Sequence, residues 1–409
     1  MRIDLGYGEG VLSMDVQGQA IHVMMPKASE SRLSIRPEVI RSFEMLQKVD
    51  STKRSISRAK NISIAADFQR GLGQTEILLA EVLDYFQTLS ILERVTIFTR
   101  TPDAILTSVK KPSGVKTNIS NPSGEKAMQL IGETPSNATP VHAPSGFIEA
   151  DFKMALGTIR ADPIYGATGG PVSLLYSACG NRTTLRNEKL GATKFSQAFD
   201  RNCPAALDAH EVSALLDVDC ALNTVTDYQG HLHTLLSGHV AKEWERGLES
   251  LHDLAAIQMK QKADVAVVSP GGSPHDFTLA DAVQALMAGH LATVHGGVIL
   301  LVAECRDGPG PKGLVEGVSE FETEDSIKAA VESSFRRGMG HARLIHRVLA
   351  SRRVVLCSRL RRSLVEERLR CNAVRDPEEG IELAKTMIAS RPSFAVIPFG
   401  ADSLPETPP

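Results

Sequence analysis

Residues 149–188 read EADFKMALGTIRADPIYGATGGPVSLLYSACGNRTTLRNE, and their reading decides the fold. An apolar run, Phe152, Met154, Ala155 and Leu156, has the character of a strand and ends at Gly157. A turn-rich segment with Gly166, Gly169 and Gly170 follows, then Gly180-Asn181-Arg182-Thr183 and a polar stretch with helical character. Glycines just past a strand let backbone approach a ligand closely. A strand, a glycine-rich turn and a helix in that order are one unit of a parallel α/β sheet.

Outward from this stretch the same alternation continues. Asn61–Asp67 (NISIAAD) is a short apolar run of the kind buried on both faces of a parallel sheet. A helix is predicted over Pro37–Val49 and another over Thr75–Leu89, with strands at 94–99 and 114–119. The residues 121–145 are rich in Ser, Pro, Thr, Asn and Gly and read as loop. The first 30 residues alternate apolar and polar (Val11-Leu12, Met14, Val16, then Ile21, Val23) and suggest a β-hairpin. A second series follows Gln258–Lys262, with strands at 264–269, 296–304, 354–358 and 394–398 and helices at 278–292, 325–350 and 377–390. The reading is therefore α/β: two domains on mainly parallel sheets with a cleft between them, divided as 1–258 and 259–400, with 401–409 a disordered tail.

Composition bounds the function. The 409 residues suit two domains. Lys and Arg number 45 against 48 Asp and Glu, a net charge of −3, which gives no global pull toward nucleic acid or membrane. No apolar run is long enough to span a bilayer, and MRIDLGYGEG lacks the apolar core of a secretory signal. The six scattered cysteines form no CxxC pair and read as reduced, buried small hydrophobes of a cytoplasmic protein. His231, His233 and His239 alternate along one stretch; exposed hairpin residues fit them better than metal ligands, so no metal site is assigned. The eleven arginines between Arg336 and Arg370 could meet a polyanion, but the stretch has no aromatic residue for base stacking. It reads as a solvated basic face.

Across nearly its whole length the sequence resembles the nickel-dependent lactate racemase family. The resemblance is carried by Leu5-Gly6-Tyr7-Gly8, Asp67-Phe68-Gln69-Arg70, the 149–188 stretch, Ser269-Pro-Gly-Gly-Ser-Pro-His-Asp276, Gly296–Cys305 and Ala395–Gly400. It implies a two-domain fold and a racemase or epimerase of 2-hydroxyacids. It further implies a nickel pincer nucleotide linked to a lysine, one nickel-binding histidine and two histidine bases. Near-neutral titration suits histidine to that base role, and the cofactor carries the hard step.

Aligned without gaps from Glu149, the lysine falls on Val172 and the nickel histidine on Glu188. The base histidines fall on Asp162 and on Pro102, and a family Gln and Lys fall on Asp281 and Gln284. Valine has no amine for the link, and carboxylate oxygen suits nickel less well than imidazole. The resemblance therefore implies a scaffold without the covalent nickel cofactor. Its substrate-binding candidates are Asp67, Arg70, Asp276, Asp281 and Gln284, with Arg70 gripping a carboxylate through its guanidinium fork. Asp162 is the acid/base candidate, and Gly169 and Gly170 are candidates for contact with a phosphate-bearing cofactor. The expected partner is a small hydroxycarboxylate. The alternatives are a non-catalytic binding or regulatory paralogue and, behind it, a polyanion binder. Lys153, Lys189 and Lys194 are the lysines nearest in sequence that could substitute for the missing amine.

Overall fold

The computed structural model describes all residues except 19, 32, 49–54, 69–73, 90–91, 103–112, 125–127, 195–197, 389–390 and 408–409. The chain divides into two compact units, Ala28–Leu251 and Met1–Lys27 with His252–Pro409. This differs from a cut at 258, because the strand Ile21–Val23 pairs in parallel with Phe394–Ile397 and so joins the later unit.

The unit Ala28–Leu251 carries a six-stranded sheet in the order Leu232–Gly238, Cys220–Thr226, Phe152–Thr158, Asn61–Ala66, Arg94–Phe98, Lys116–Ser120. All pairs are parallel except the one formed by Leu232–Gly238. Chain order runs outward from Asn61–Ala66 in one direction, then restarts beside it at Phe152–Thr158. That restart is a topological switch point, where open α/β sheets form a crevice at the carboxyl ends of their strands.

The two faces of this sheet differ in a way that positions the site. Side chains alternate along a strand. Ile62, Ile64, Ala66, Phe152, Met154, Leu156, Cys220 and Leu222 face one core with Phe43, Leu79 and Phe86. Each fully buried side chain of this size contributes about 1.5–3 kcal/mol. Several of the opposite positions are small: Ala65, Ala155, Gly157, Ala221. On that face the helix Gly170–Ala178 approaches so closely that a Cβ on Gly157 would lie 2.6 Å from Ser173 Oγ.

The second unit has a sheet in the order Asn372–Val374, Arg353–Cys357, Thr293–Val302, Ala263–Val268, Phe394–Ile397, Ile21–Val23, parallel throughout. Its switch point lies between Ala263–Val268 and Phe394–Ile397. One face packs on Ile3, Leu5 and Met14 of the hairpin Arg2–Tyr7/Gly10–Asp15 and on Val16 just after it. The other meets the helix Leu279–Ala292, where Gly289 lies against Val268 and Ile299.

Several sequence expectations are corrected. The N-terminal hairpin uses Arg2–Tyr7 and Gly10–Asp15, while Ile21–Val23 is a separate strand. The loop-like stretch 121–145 contains an antiparallel pair, Met128–Glu133 with Pro140–Pro144. The helix over 325–350 is two helices, Glu324–Ser334 and Met339–Leu349, broken before Gly338 at φ +95°. The tail is ordered as far as Leu404–Glu406, which pairs with Ala256–Gln258. Among the described residues no helix is long and apolar enough to cross a membrane.

Candidate functional site

Asp67 follows the strand Asn61–Ala66 at the switch point. Its N–H donates to Leu156 O (3.2 Å), and its carboxylate accepts from the Ser173 hydroxyl (3.1 Å). Arg70 lies outside the described residues. Beside Asp67, the carboxyl ends of the next two strands present Thr158 and Thr224, whose hydroxyls are 2.9 Å apart. Thr158 Oγ1 also accepts the Gln74 N–H (3.2 Å) and lies 3.3 Å from the Thr75 hydroxyl. Sequence reasoning named Asp67 and missed this hydroxyl row. Its one legible signal is a threonine at the end of one buried strand and another two residues before the end of its neighbour.

Gly169 and Gly170 join the crevice to the helix Gly170–Ala178. Both have positive φ, +82° and +45°, and a Cβ on either would strike Ile159 Cγ1 at 2.5 Å or Trp244 Cβ at 2.9 Å. The helix start keeps its own donors occupied. Gly170 N–H goes to Asn223 Oδ1 (2.8 Å), Pro171 has none, and the Val172 and Ser173 N–H groups both reach Gly169 O (3.0 and 3.2 Å). Here the glycines serve close packing. Asn223 is fully buried, and its Nδ2 has no partner among the described residues.

The positions singled out for cofactor chemistry have other occupations. Val172 is 1% exposed, packed inside the helix. Asp162 accepts the N–H groups of Ile164 and Tyr165 (2.8 Å each), which closes the turn between Ala161–Asp162 and Gly166–Ala167. Glu188 accepts from the Tyr176 hydroxyl (3.2 Å), which lies 2.8 Å from the Tyr165 hydroxyl. Burial, and next the charge of Glu188, push both phenols well above their ordinary pKa. Pro102 is partly buried at the edge of an undescribed segment. Two residues earlier, Arg100 binds Tyr176 O (2.6 Å), Cys179 O (2.9 Å) and Asn181 Oδ1 (2.8 Å), fixing the end of the same helix. Lys153 is 3% exposed, with Nζ donating to Leu216 O (2.7 Å). Lys189 is partly exposed and Lys194 exposed.

In the second unit Asp276 is fully buried. Its Oδ2 accepts from Gly8 N (2.8 Å) and Glu304 N (2.9 Å), while Oδ1 has no partner among the described residues. Asp281 forms a capping box with Thr278, accepting from its N–H (2.9 Å) and hydroxyl (2.6 Å). Gln284 is 7% exposed, with Oε1 unpartnered among the described residues. Thus Asp276 ties three segments together and Asp281 starts a helix.

His231 is exposed near Asp227 (3.5 Å), and His233 Nδ1 lies 3.0 Å from Ser29 Oγ. Among the described residues no three His, Cys, Asp or Glu side chains gather as a metal site. The arginine-rich stretch is largely engaged within its own unit. Arg336 pairs with Glu316 and Glu320, Arg343 and Arg347 with Glu324, Arg359 with Glu304 and Arg362 with Glu366. Arg352 and Arg370 bind the carbonyls of Thr293 and Phe321. This occupies charge that a polyanion would need.

Comparison with known proteins places this geometry. Residues 258–404 match the family model of the lactate racemase C-terminal domain. The chain is 24% identical to the lactate racemase of Thermoanaerobacterium thermosaccharolyticum over 97% of both sequences. It is 21% identical to that of Lactiplantibacillus plantarum over 68% of this chain and 66% of the other. The apoprotein structure of the Thermoanaerobacterium enzyme superposes with a TM-score of 0.83, covering 99% of this chain and 100% of that one at 21% identity, and so shares the fold. A Thermotoga maritima protein of known structure has the same fold at TM-score 0.66 and 11% identity, with 93% and 100% covered.

Proposed function

We propose that this chain, which belongs to the lactate racemase family, binds a small 2-hydroxycarboxylate and does so without the covalent nickel pincer nucleotide. The observation that carries the first half is the Asp67–Ser173 pair at a switch-point crevice, beside the Thr158–Thr224 hydroxyls. A row of hydroxyl and carboxylate groups at strand ends suits a ligand that bears hydroxyl and carboxylate oxygens. In this reading Asp67 accepts from the ligand hydroxyl and Arg70 pairs with its carboxylate.

The second half rests on chemistry. Val172 offers no amine and is sealed in a helix. The Glu188 carboxylate is engaged by the Tyr176 hydroxyl. The residues at these positions do not fit the family's cofactor. The name lactate racemase belongs to the relatives, and lactate is the natural first probe. A second reading, a non-catalytic binding protein, is favoured by the same two positions.

The test is thermal melting of the full chain with D-lactate, L-lactate and glycolate. A ligand at 100 times its Kd adds about 2.7 kcal/mol, which should appear as a rise of a few degrees. Asp67→Ala should abolish that rise. No rise with any of the three would sink the binding proposal. Ligand stabilisation without interconversion of the lactate enantiomers would select the non-catalytic reading.

A further inference from the structure

The helix Gly170–Ala178 is seated by two side chains outside it, Trp244 and Asn223, both 0% exposed. Trp244, in the helix Val240–Ala255, donates its indole N–H to Thr168 O (3.0 Å). Asn223, in the strand Cys220–Thr226, accepts the Gly170 N–H on Oδ1 (2.8 Å). Thr168 pins the turn further: its hydroxyl donates to Thr158 O (2.9 Å) and accepts from Arg160 N (3.2 Å). Gly170 passes so close to the indole that a Cβ there would lie 2.9 Å from Trp244 Cβ. The His210 ring meets the indole edge-on, at 87° with centroids 5.0 Å apart. Within the first turn of the helix, Ser173 donates to Asp67 (3.1 Å).

We infer that Trp244 and Asn223 are positioning residues of the Asp67 site: by fixing the Thr168 carbonyl and the Gly170 amide they set the helix Gly170–Ala178, and through Ser173 they orient the carboxylate that meets the ligand. The inference rests on the ligand-binding reading proposed above. Three features carry it. The two bonds come from different elements and flank Gly169, so the helix entry is held from two directions. Asn223 stands on its strand between Ala221 and Val225, on a face where packing alone would take another apolar side chain. Burying an amide costs free energy unless hydrogen bonds offset it. Here Oδ1 holds the helix entry, while Nδ2 has no partner among the described residues. The path from Trp244 to Asp67 runs through Thr168, the Gly169–Gly170 turn and Ser173. Each is fixed by at least one hydrogen bond, the preorganisation a binding group needs.

Trp244 is the single tryptophan of the chain, so emission excited selectively over the tyrosines reports on this place alone. The full chain is titrated with whichever lactate enantiomer gives the larger melting rise. Tryptophan emission should change saturably, with the Kd that the melting response gives, and Asp67→Ala should remove the change. Asn223→Leu removes the acceptor at similar volume. It should raise that Kd about tenfold, as loss of a group that orients a binding side chain commonly does. Asn223→Asp keeps an acceptor oxygen for Gly170 N at a helix start that favours negative charge, and should recover most of the loss. Trp244→Phe, read by melting, should weaken binding in the same direction as Asn223→Leu. If lactate raises the melting temperature while emission stays still and Asn223→Leu binds as the parent does, this inference fails and the Asp67 reading stands. If lactate raises nothing, both fail. Lower ligand-free stability in Asn223→Leu and Trp244→Phe with an unchanged Kd would make both residues purely structural and overturn the inference. Should Asn223→Leu not fold, the parent decides: still emission under saturating lactate overturns it.

Discussion

Asp276, a substrate-binding candidate from the sequence, also acts as a structural tie. Its buried carboxylate holds the Gly8 and Glu304 amides, one in the N-terminal hairpin and one at the end of Thr293–Val302. Removing it leaves buried donors unpaired, at about 1–3 kcal/mol each. Asp276→Ala should therefore lower unfolding free energy by at least ~2 kcal/mol in chemical denaturation. Asp281→Ala should cost about 1 kcal/mol, as expected for a lost cap. Equal small losses for both would contradict the role given to Asp276. Asp67 and Asp276 were visible in the sequence because they fall on motifs that carry the resemblance, just past strands. Ser173, Thr158 and Asn223 were not visible, since a buried hydroxyl or amide is ordinary until its partners are known.

At the scale of elements, the helix Gly170–Ala178 organises the first crevice. It can sit low on the sheet because Ala155, Gly157 and Ala221 leave no bulk beneath it, and its entry demands the positive φ of Gly169 and Gly170. Gly169→Ala adds strain of about 1–3 kcal/mol for a non-glycine residue in that region, and its Cβ collides with Ile159. Lowered thermal stability together with a weakened lactate response is the expected outcome. A variant that melts and binds as the parent does would contradict this account of the turn. Strand and helix order here was legible from apolar runs and glycines. The hairpin Met128–Glu133/Pro140–Pro144 was hidden because Pro140 and Pro144 in its second strand and the Thr, Pro, Ser and Asn of its turn mimic loop composition. The break before Gly338 was missed because apolar periodicity continues on both sides of it.

For the whole molecule, acid should act through partly buried histidines. Burial holds His210 and His290 down at about 4, from an ordinary 6.5, with neighbouring positive charge adding to it. The unfolded chain binds these protons below about 6.5, while the native state refuses them until about 4. Stability therefore falls as pH drops through that window and is not penalised by these groups above it. Denaturation midpoints at pH 7 and pH 5 should differ in that direction, and replacing His210 and His290 by Gln should reduce the difference. The similarity of this chain to lactate racemases was legible from ordered motifs along its length. In the function we propose, what sets it apart lies at a few positions, Val172 and Glu188 first among them. The most direct test is intact mass with nickel content, measured on protein co-produced with the enzymes that make the family's cofactor. The account predicts the unmodified mass of the chain and no nickel. A mass increase accompanied by stoichiometric nickel would contradict it.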